Sequence, residues 1–203
     1  FFYIMKKLII LFIAGLFAFQ TTGLKAQPDS EIVDFTVEFV TVFDLAIVTG
    51  SAIVVTFTTA AEYTAGIVSP ATTDITVEST INWDLMISGA GDLLPVTGTG
   101  AVPLDYVGAW ATATGTYTDG DEFNIQFPDQ ANCHGLTTTP TLFIDNNNGN
   151  AGNTTQNAFN IAWAVGTQSG TMAAESVFDG LAAGTFTAPG EYNTDITLTA
   201  QAD

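Results

Sequence analysis

The sequence predicts an all-β protein, an antiparallel β-sandwich preceded by an export signal. Two observations predict the sandwich. Short runs rich in Val, Ile, Thr and Phe alternate apolar with polar residues, the period of two that strands impose. Gly, Pro, Asn and Asp punctuate these runs at short intervals, as turns between strands require. A third observation, the order of the first 26 residues, predicts the export signal. Hydrophobic residues make up 47% of the 203 and charged residues 12%, so the chain has the apolar content to fill a core without disulfide staples.

The leader comes first. Lys6-Lys7 is a short positive segment, Leu8 to Phe19 is an apolar run of 12 residues, and Leu24-Lys25-Ala26 ends on a small side chain before Gln27. That order is the anatomy of a secretory signal peptide cut after Ala26. The run falls short of the roughly 20 residues that span a bilayer, so no stable membrane insertion of the mature chain is expected. Phe1 to Ile4 precede Met5 and read as upstream residues, with translation starting at Met5.

The segment 27–50 is next. From Ile32 to Val48 the odd positions read Val33, Phe35, Val37, Phe39, Thr41, Phe43, Leu45 and Ile47, against Asp34, Thr36, Glu38 and Asp44 on the even ones. Seventeen residues in one extended run would reach roughly 55 Å at 3.3 Å each, far beyond an ordinary strand. Two readings follow: two core strands joined by a bend, or one long strand that leaves its own domain.

The body, 51–203, reads as one domain of about ten short strands. Ser51 to Thr58 turns Ile53, Val55 and Phe57 one way. Asp74 to Ser79 and Ile81 to Ser88 follow, the latter with Trp83, Leu85 and Ile87 on one side. Ala101 to Val107, Ala109 to Tyr117, Glu122 to Phe127 and Thr141 to Ile144 continue the pattern. Ala158 to Val165 holds Phe159, Ile161, Trp163 and Val165 in register. Val177 to Leu181 and Gly184 to Thr187 are weaker, and Glu191 to Gln201 closes the chain. Only Ala173 to Leu181 offers a helical turn or so. Asp145 to Gln156 (DNNNGNAGNTTQ) is the clearest loop.

Charge excludes whole classes of function. Lys and Arg total 3 against 21 Asp and Glu, a formal charge of −18, and all three cations lie at or before Lys25. A mature chain without Lys or Arg cannot neutralise phosphates, which excludes nucleic-acid binding and leaves phosphoryl transfer without its usual clamps.

The stretch Val55 to Gly66 (VTFTTAAEYTAG), then Asp74 to Ser88 (DITVESTINWDLMIS), then Ala101-Val102-Pro103-Leu104 resembles a pattern in secreted surface proteins of Gram-negative bacteria. The ending Pro189-Gly190-Glu191-Tyr192 with its Thr-rich strand looks like the closing strand of pilin-like and spore-coat-U-like domains. The resemblance covers roughly 51–107 and 186–200. It implies an immunoglobulin-like, pilin-like β-sandwich used outside the cell, often in appendages, and carries over no catalytic residue.

Candidate chemistry is sparse. Cys133-His134 is the one soft-ligand pair, and zinc needs three or four ligands. Asp119, Asp121, Glu122 and Asp145 could offer oxygens to calcium, although neither loop keeps the Asp-x-Asn-x-Asn-Gly spacing; calcium is thus the one cofactor considered. Trp83 and Trp163 read as core, while Trp110 is free to stack on a sugar ring. His134 is the single histidine and no G-x-S-x-G surrounds a serine, so no enzyme is expected. The expected function is a structural subunit of an extracellular bacterial filament or surface layer. It would be a homopolymer at the cell surface or in a fimbrium, joined through Val33, Phe35, Val37, Phe39 and Phe43 in a neighbour's sheet. The alternative is a monomeric secreted surface-binding module for glycan or calcium.

Overall fold

The alternating runs become strands of two antiparallel sheets. The computed structural model describes residues 35–97, 99–185 and 190–203. The leader at 1–26 and Val33 lie outside them. The chain divides into two units, residues 1–39 and residues 40–203. Of the first, residues 35–39 are described and carry no regular secondary structure.

In the second unit the strands are, in chain order, β1 (Phe43–Thr49), β2 (Ile67–Val68), β3 (Thr73–Ser79), β4 (Trp83–Gly89), β5 (Leu94–Pro95), β6 (Val107–Ala113), β7 (Phe123–Ile125), β8 (His134–Gly135), β9 (Thr141–Asn146), β10 (Ala158–Val165), β11 (Tyr192–Asn193) and β12 (Ile196–Ala202). Two short helices join them, α1 (Ala60–Ala65) and α2 (Val177–Ala183). One sheet has the order β1-β3-β10-β6-β8, with β2 also paired to β10; the other runs β12-β4-β9-β7; β11 and β5 make a small ribbon. All pairings between these strands are antiparallel. The fold is therefore an all-β sandwich.

The period of two decides which residues meet between the sheets. Ile75 and Val77 from β3, Trp83, Leu85 and Ile87 from β4, Phe123 from β7, and Phe159 and Ile161 from β10 are all buried in one cluster. Phe159 sits at its centre, edge-on to Trp83 at 5.9 Å and to Phe123 at 4.9 Å between ring centroids, the geometry that aromatic quadrupoles favour. Trp163 is also core, at 5% exposure.

The Asn-rich stretch is anchored rather than a free hairpin tip. Asn150 is fully buried. Its Oδ1 accepts from Trp83 N at 3.0 Å, and its Nδ2 donates to Trp83 O at 2.8 Å. Its own carbonyl accepts from Trp83 Nε1 at 3.0 Å and from Asn157 Nδ2 at 2.8 Å. One side chain thus completes the main-chain bonding at the start of β4.

Four segments differ from their expected form. Residues 51–58 carry no regular secondary structure and, among the described residues, join no sheet. Before β6 begins at Val107, the expected strand 101–107 holds only a single bridge, Val102 to Leu93, and then a 3-10 turn at Leu104–Tyr106, because Pro103 has no N–H to continue a ladder. Of the two forms expected around Val177 to Leu181, a weak strand and a helical turn, the segment takes the second as helix α2, capped by Ser176 accepting from Asp179 N and closed by Gly184 in the left-handed region. Helix α1 was not expected. Its capping box is complete: the Thr59 hydroxyl accepts from Glu62 N, and the Glu62 carboxylate accepts from Thr59 N at 2.8 Å. The same carboxylate takes Thr58 N and Thr58 Oγ1, and these bonds, the Thr58 main-chain one first, hold its pKa below the usual glutamate value.

Candidate functional site

The expected long run 32–48 resolves in part. Its last residues form β1, paired with β3 in the register Phe43 to Ser79, Leu45 to Val77 and Ile47 to Ile75. The sandwich therefore begins at Phe43, not at residue 51, and Phe43 belongs to its own sheet. The β3 partners Ile75, Val77 and Ser79 are buried, so Phe43, Leu45 and Ile47 share the inward face. Yet Phe43 is 39% exposed and Ile47 is 51% exposed. Among the described residues strand β1 is an edge, and its inward row has no further strand beside it. Just before it, Val42 is tied to Thr80 by its N–H at 3.0 Å and its carbonyl at 3.0 Å. Further upstream Phe35 and Phe39 are 86% and 92% exposed, and Val37 is exposed as well.

The other sheet ends at β12, whose inward row Ile196, Leu198 and Ala200 faces Gly89, Ile87 and Leu85 of β4. That row is also only half-buried. Since β3 and β4 are consecutive, the two free edges β1 and β12 lie on the same side of the sandwich. Between them the chain turns at Gly50, at a φ of +72°, where a Cβ would run into Thr72 O. It then continues as segment 51–57, with Ile53, Val55 and Phe57 half-buried and Val54 exposed.

Behind this segment lies a cavity of about 700 Å³. Trp163, Val107 and Thr73 line it from the core, Ile47 and Val55 from one side, Ile196 and Leu198 from the other. Its far end meets a second apolar cluster in which Val102, Tyr106 and Val177 are packed by Phe57, Tyr63, Leu93 and Leu181. The polar atoms near its floor are bonded to one another: Trp163 Nε1 donates to Thr73 Oγ1 at 3.0 Å, and that hydroxyl donates to Gly50 O at 2.7 Å. Tyr106 gives its hydroxyl to Glu175 at 3.2 Å, and burial first, that carboxylate second, push its pKa up to about 12.

The remaining candidate residues are dispersed. Asp119 Oδ1 accepts from Ile125 N at 2.7 Å, and Glu122 Oε2 accepts from Thr118 N at 2.9 Å. The Asp121 carbonyl takes the amides of Asn147 and Asn148. These acids serve to tie two turns together. Asp145 lies on β9; burial first, then the carboxylates of Asp84 and Asp203, raise its pKa. Among the described residues no three His, Cys, Asp or Glu side chains are grouped to hold a metal ion. Trp110 is half-buried on the outer face of β6, packed against Cys133, Ala164 and Met172. Cys133 is buried and its thiol pKa is raised chiefly for that reason. His134 is buried too, stacked on Phe127 at 4.8 Å, and burial lowers its pKa. Among the described residues no helix is long and apolar enough to cross a membrane.

The open seam was not found by reading the sequence. Its one signal was the run 51–58, which alternates like a strand yet pairs with nothing. No family model and no curated protein matches this chain.

Proposed function

We propose that the protein is an exported structural subunit of a bacterial filament or surface layer, in which residues 33–39 of one copy add a strand beside β1 of the next. The observation that carries this reading is the half-exposed inward row of β1, Phe43 and Ile47, at the edge of its sheet among the described residues. Phe43 then belongs to the receiving edge, and Val33, Phe35, Val37 and Phe39 to the arriving strand.

The energetics set what such a contact needs. Burying Phe35, Val37 and Phe39 contributes on the order of 5–9 kcal/mol at about 1.5–3 each. Association costs about 4–15 kcal/mol before side-chain ordering. Side chains alone do not cover the upper part of that cost, and main-chain bonds along the edge of β1 supply the remainder, as strand addition does. With no Lys or Arg after Lys25, no salt bridge between a Lys or Arg and a carboxylate can hold mature copies together. A head-to-tail contact of this kind propagates unless its rotation closes, which is what a filament or layer requires. The reading assigns no catalytic group and places the protein outside the cell.

Sedimentation of the purified protein tests it. The parent chain is expected to form large species. The Phe35→Asp/Phe39→Asp variant is expected to remain monomeric with an unchanged melting temperature. A parent chain that sediments as a monomer at all concentrations contradicts the proposal.

A further inference from the structure

We infer that the cavity between β1 and β12 is a binding site for a small, uncharged apolar molecule, a property separate from assembly. Its volume of about 700 Å³ falls within the roughly 300–1,000 Å³ of small-molecule sites. Trp163, Val107 and Thr73, each buried, contribute to its lining, and the space opens to solvent along the seam between the two sheet edges.

The lining chemistry defines the ligand class. Aromatic rings of Phe57, Tyr63, Trp163 and Tyr192 alternate with aliphatic side chains. The N–H of Trp163 and the hydroxyl of Thr73 are already bonded within the protein, so neither asks a ligand for a partner, while Ser51, Asn193 and Thr194 add polar groups to a lining that is mainly apolar. An anion is disfavoured twice over: no Lys or Arg follows Lys25, and Asp195 stands at the rim. The outer wall supplies an entry. Among the described residues, 51–57 make no hydrogen bond; the nearest anchors are Gly50, through Thr73, and Thr58, through Glu62. A wall held by side chains alone between two fixed ends opens at lower cost than a laddered strand.

Fluorescence titration with two dyes tests this: Nile red, which is uncharged, and anilinonaphthalene sulfonate, which is anionic. Nile red is expected to bind one to one with a blue-shifted emission, and the sulfonate at least about tenfold more weakly. Val55→Trp, and independently Ile53→Trp, fill the space and are expected to weaken Nile red about tenfold with an unchanged melting temperature. Phe178→Ser, outside the cavity, is expected to change nothing. A variant lacking residues 29–42 is expected to bind Nile red as the parent does, even where assembly is lost, which separates this inference from the proposed function. Absence of saturable Nile red binding, binding unmoved by both tryptophan variants, or equal affinity for the sulfonate would overturn it. Displacement of the dye by a peptide of residues 31–42 would also overturn it, by assigning the cavity to a second copy.

Discussion

Asn150 and His134 show how much single side chains decide here. Trp83 is fully buried, and both its main-chain groups end on the Asn150 amide. Asn150→Ala would leave a buried N–H and a buried carbonyl unpaired, at about 1–3 kcal/mol each. A loss of about 2–6 kcal/mol is expected in chemical denaturation. His134 sits buried against Phe127 with no partner for its Nε2. Burial lowers its pKa below the ordinary histidine value of about 6.5. As pH falls through that value the unfolded chain takes up a proton and the folded chain does not, so stability declines until the folded pKa is reached. Glu62 and Asp74, also lowered, add their losses at more acid pH, as the unfolded carboxylates protonate first. The melting temperature is therefore expected to drop between pH 7.5 and pH 5.5, about the unfolded histidine value, and His134→Phe is expected to flatten that drop. An unchanged slope in the variant would assign the effect elsewhere.

Turns and caps govern the elements. Gly66 closes α1 at a φ of +73°, and a Cβ there would overlap the main chain of Gly166 and Thr167. Gly120 has a φ of +88° with open space around it. Gly120→Ala is expected to cost about 1–2 kcal/mol for its backbone alone, and Gly66→Ala distinctly more, because it adds a clash with main chain. Thr59→Ala removes the α1 cap, for about 1 kcal/mol. Calorimetry of the three variants orders them. These elements also show what a sequence can reveal. Strands β3, β4 and β10 were legible because their buried rows alternate without interruption. Helix α1 was hidden: six residues are too few to show a helical period, and the Thr59-x-x-Glu62 box was its only local mark. Segment 51–57 alternates as a strand does, but pairing depends on which edges the sandwich leaves free, and no local pattern carries that. Phe43 alternates in step with Phe35 and Phe39, so period alone could not place it inside the sandwich.

Charge and edges act at the scale of the whole molecule. A formal charge of −18 makes every pair of copies repel, and salt screens that repulsion within a Debye length of about 10 Å at 0.1 M. Assembly through apolar and main-chain contacts is accordingly expected to strengthen as sodium chloride rises. Weakening with salt, as for subunits joined by opposite charges, would contradict the account. Candidate calcium ligands were legible as acidic residues, but not their use, since Asp119 and Glu122 are taken up by nearby main-chain N–H groups. The central claim, a strand supplied by one copy to the edge of another, is tested most directly by amide hydrogen exchange of the unmodified sequence across a range of protein concentrations. Amides of residues 35–39 are expected to exchange rapidly in dilute solution and to become protected as concentration rises, with β1 following. Exchange in both segments that is the same at every concentration would contradict it.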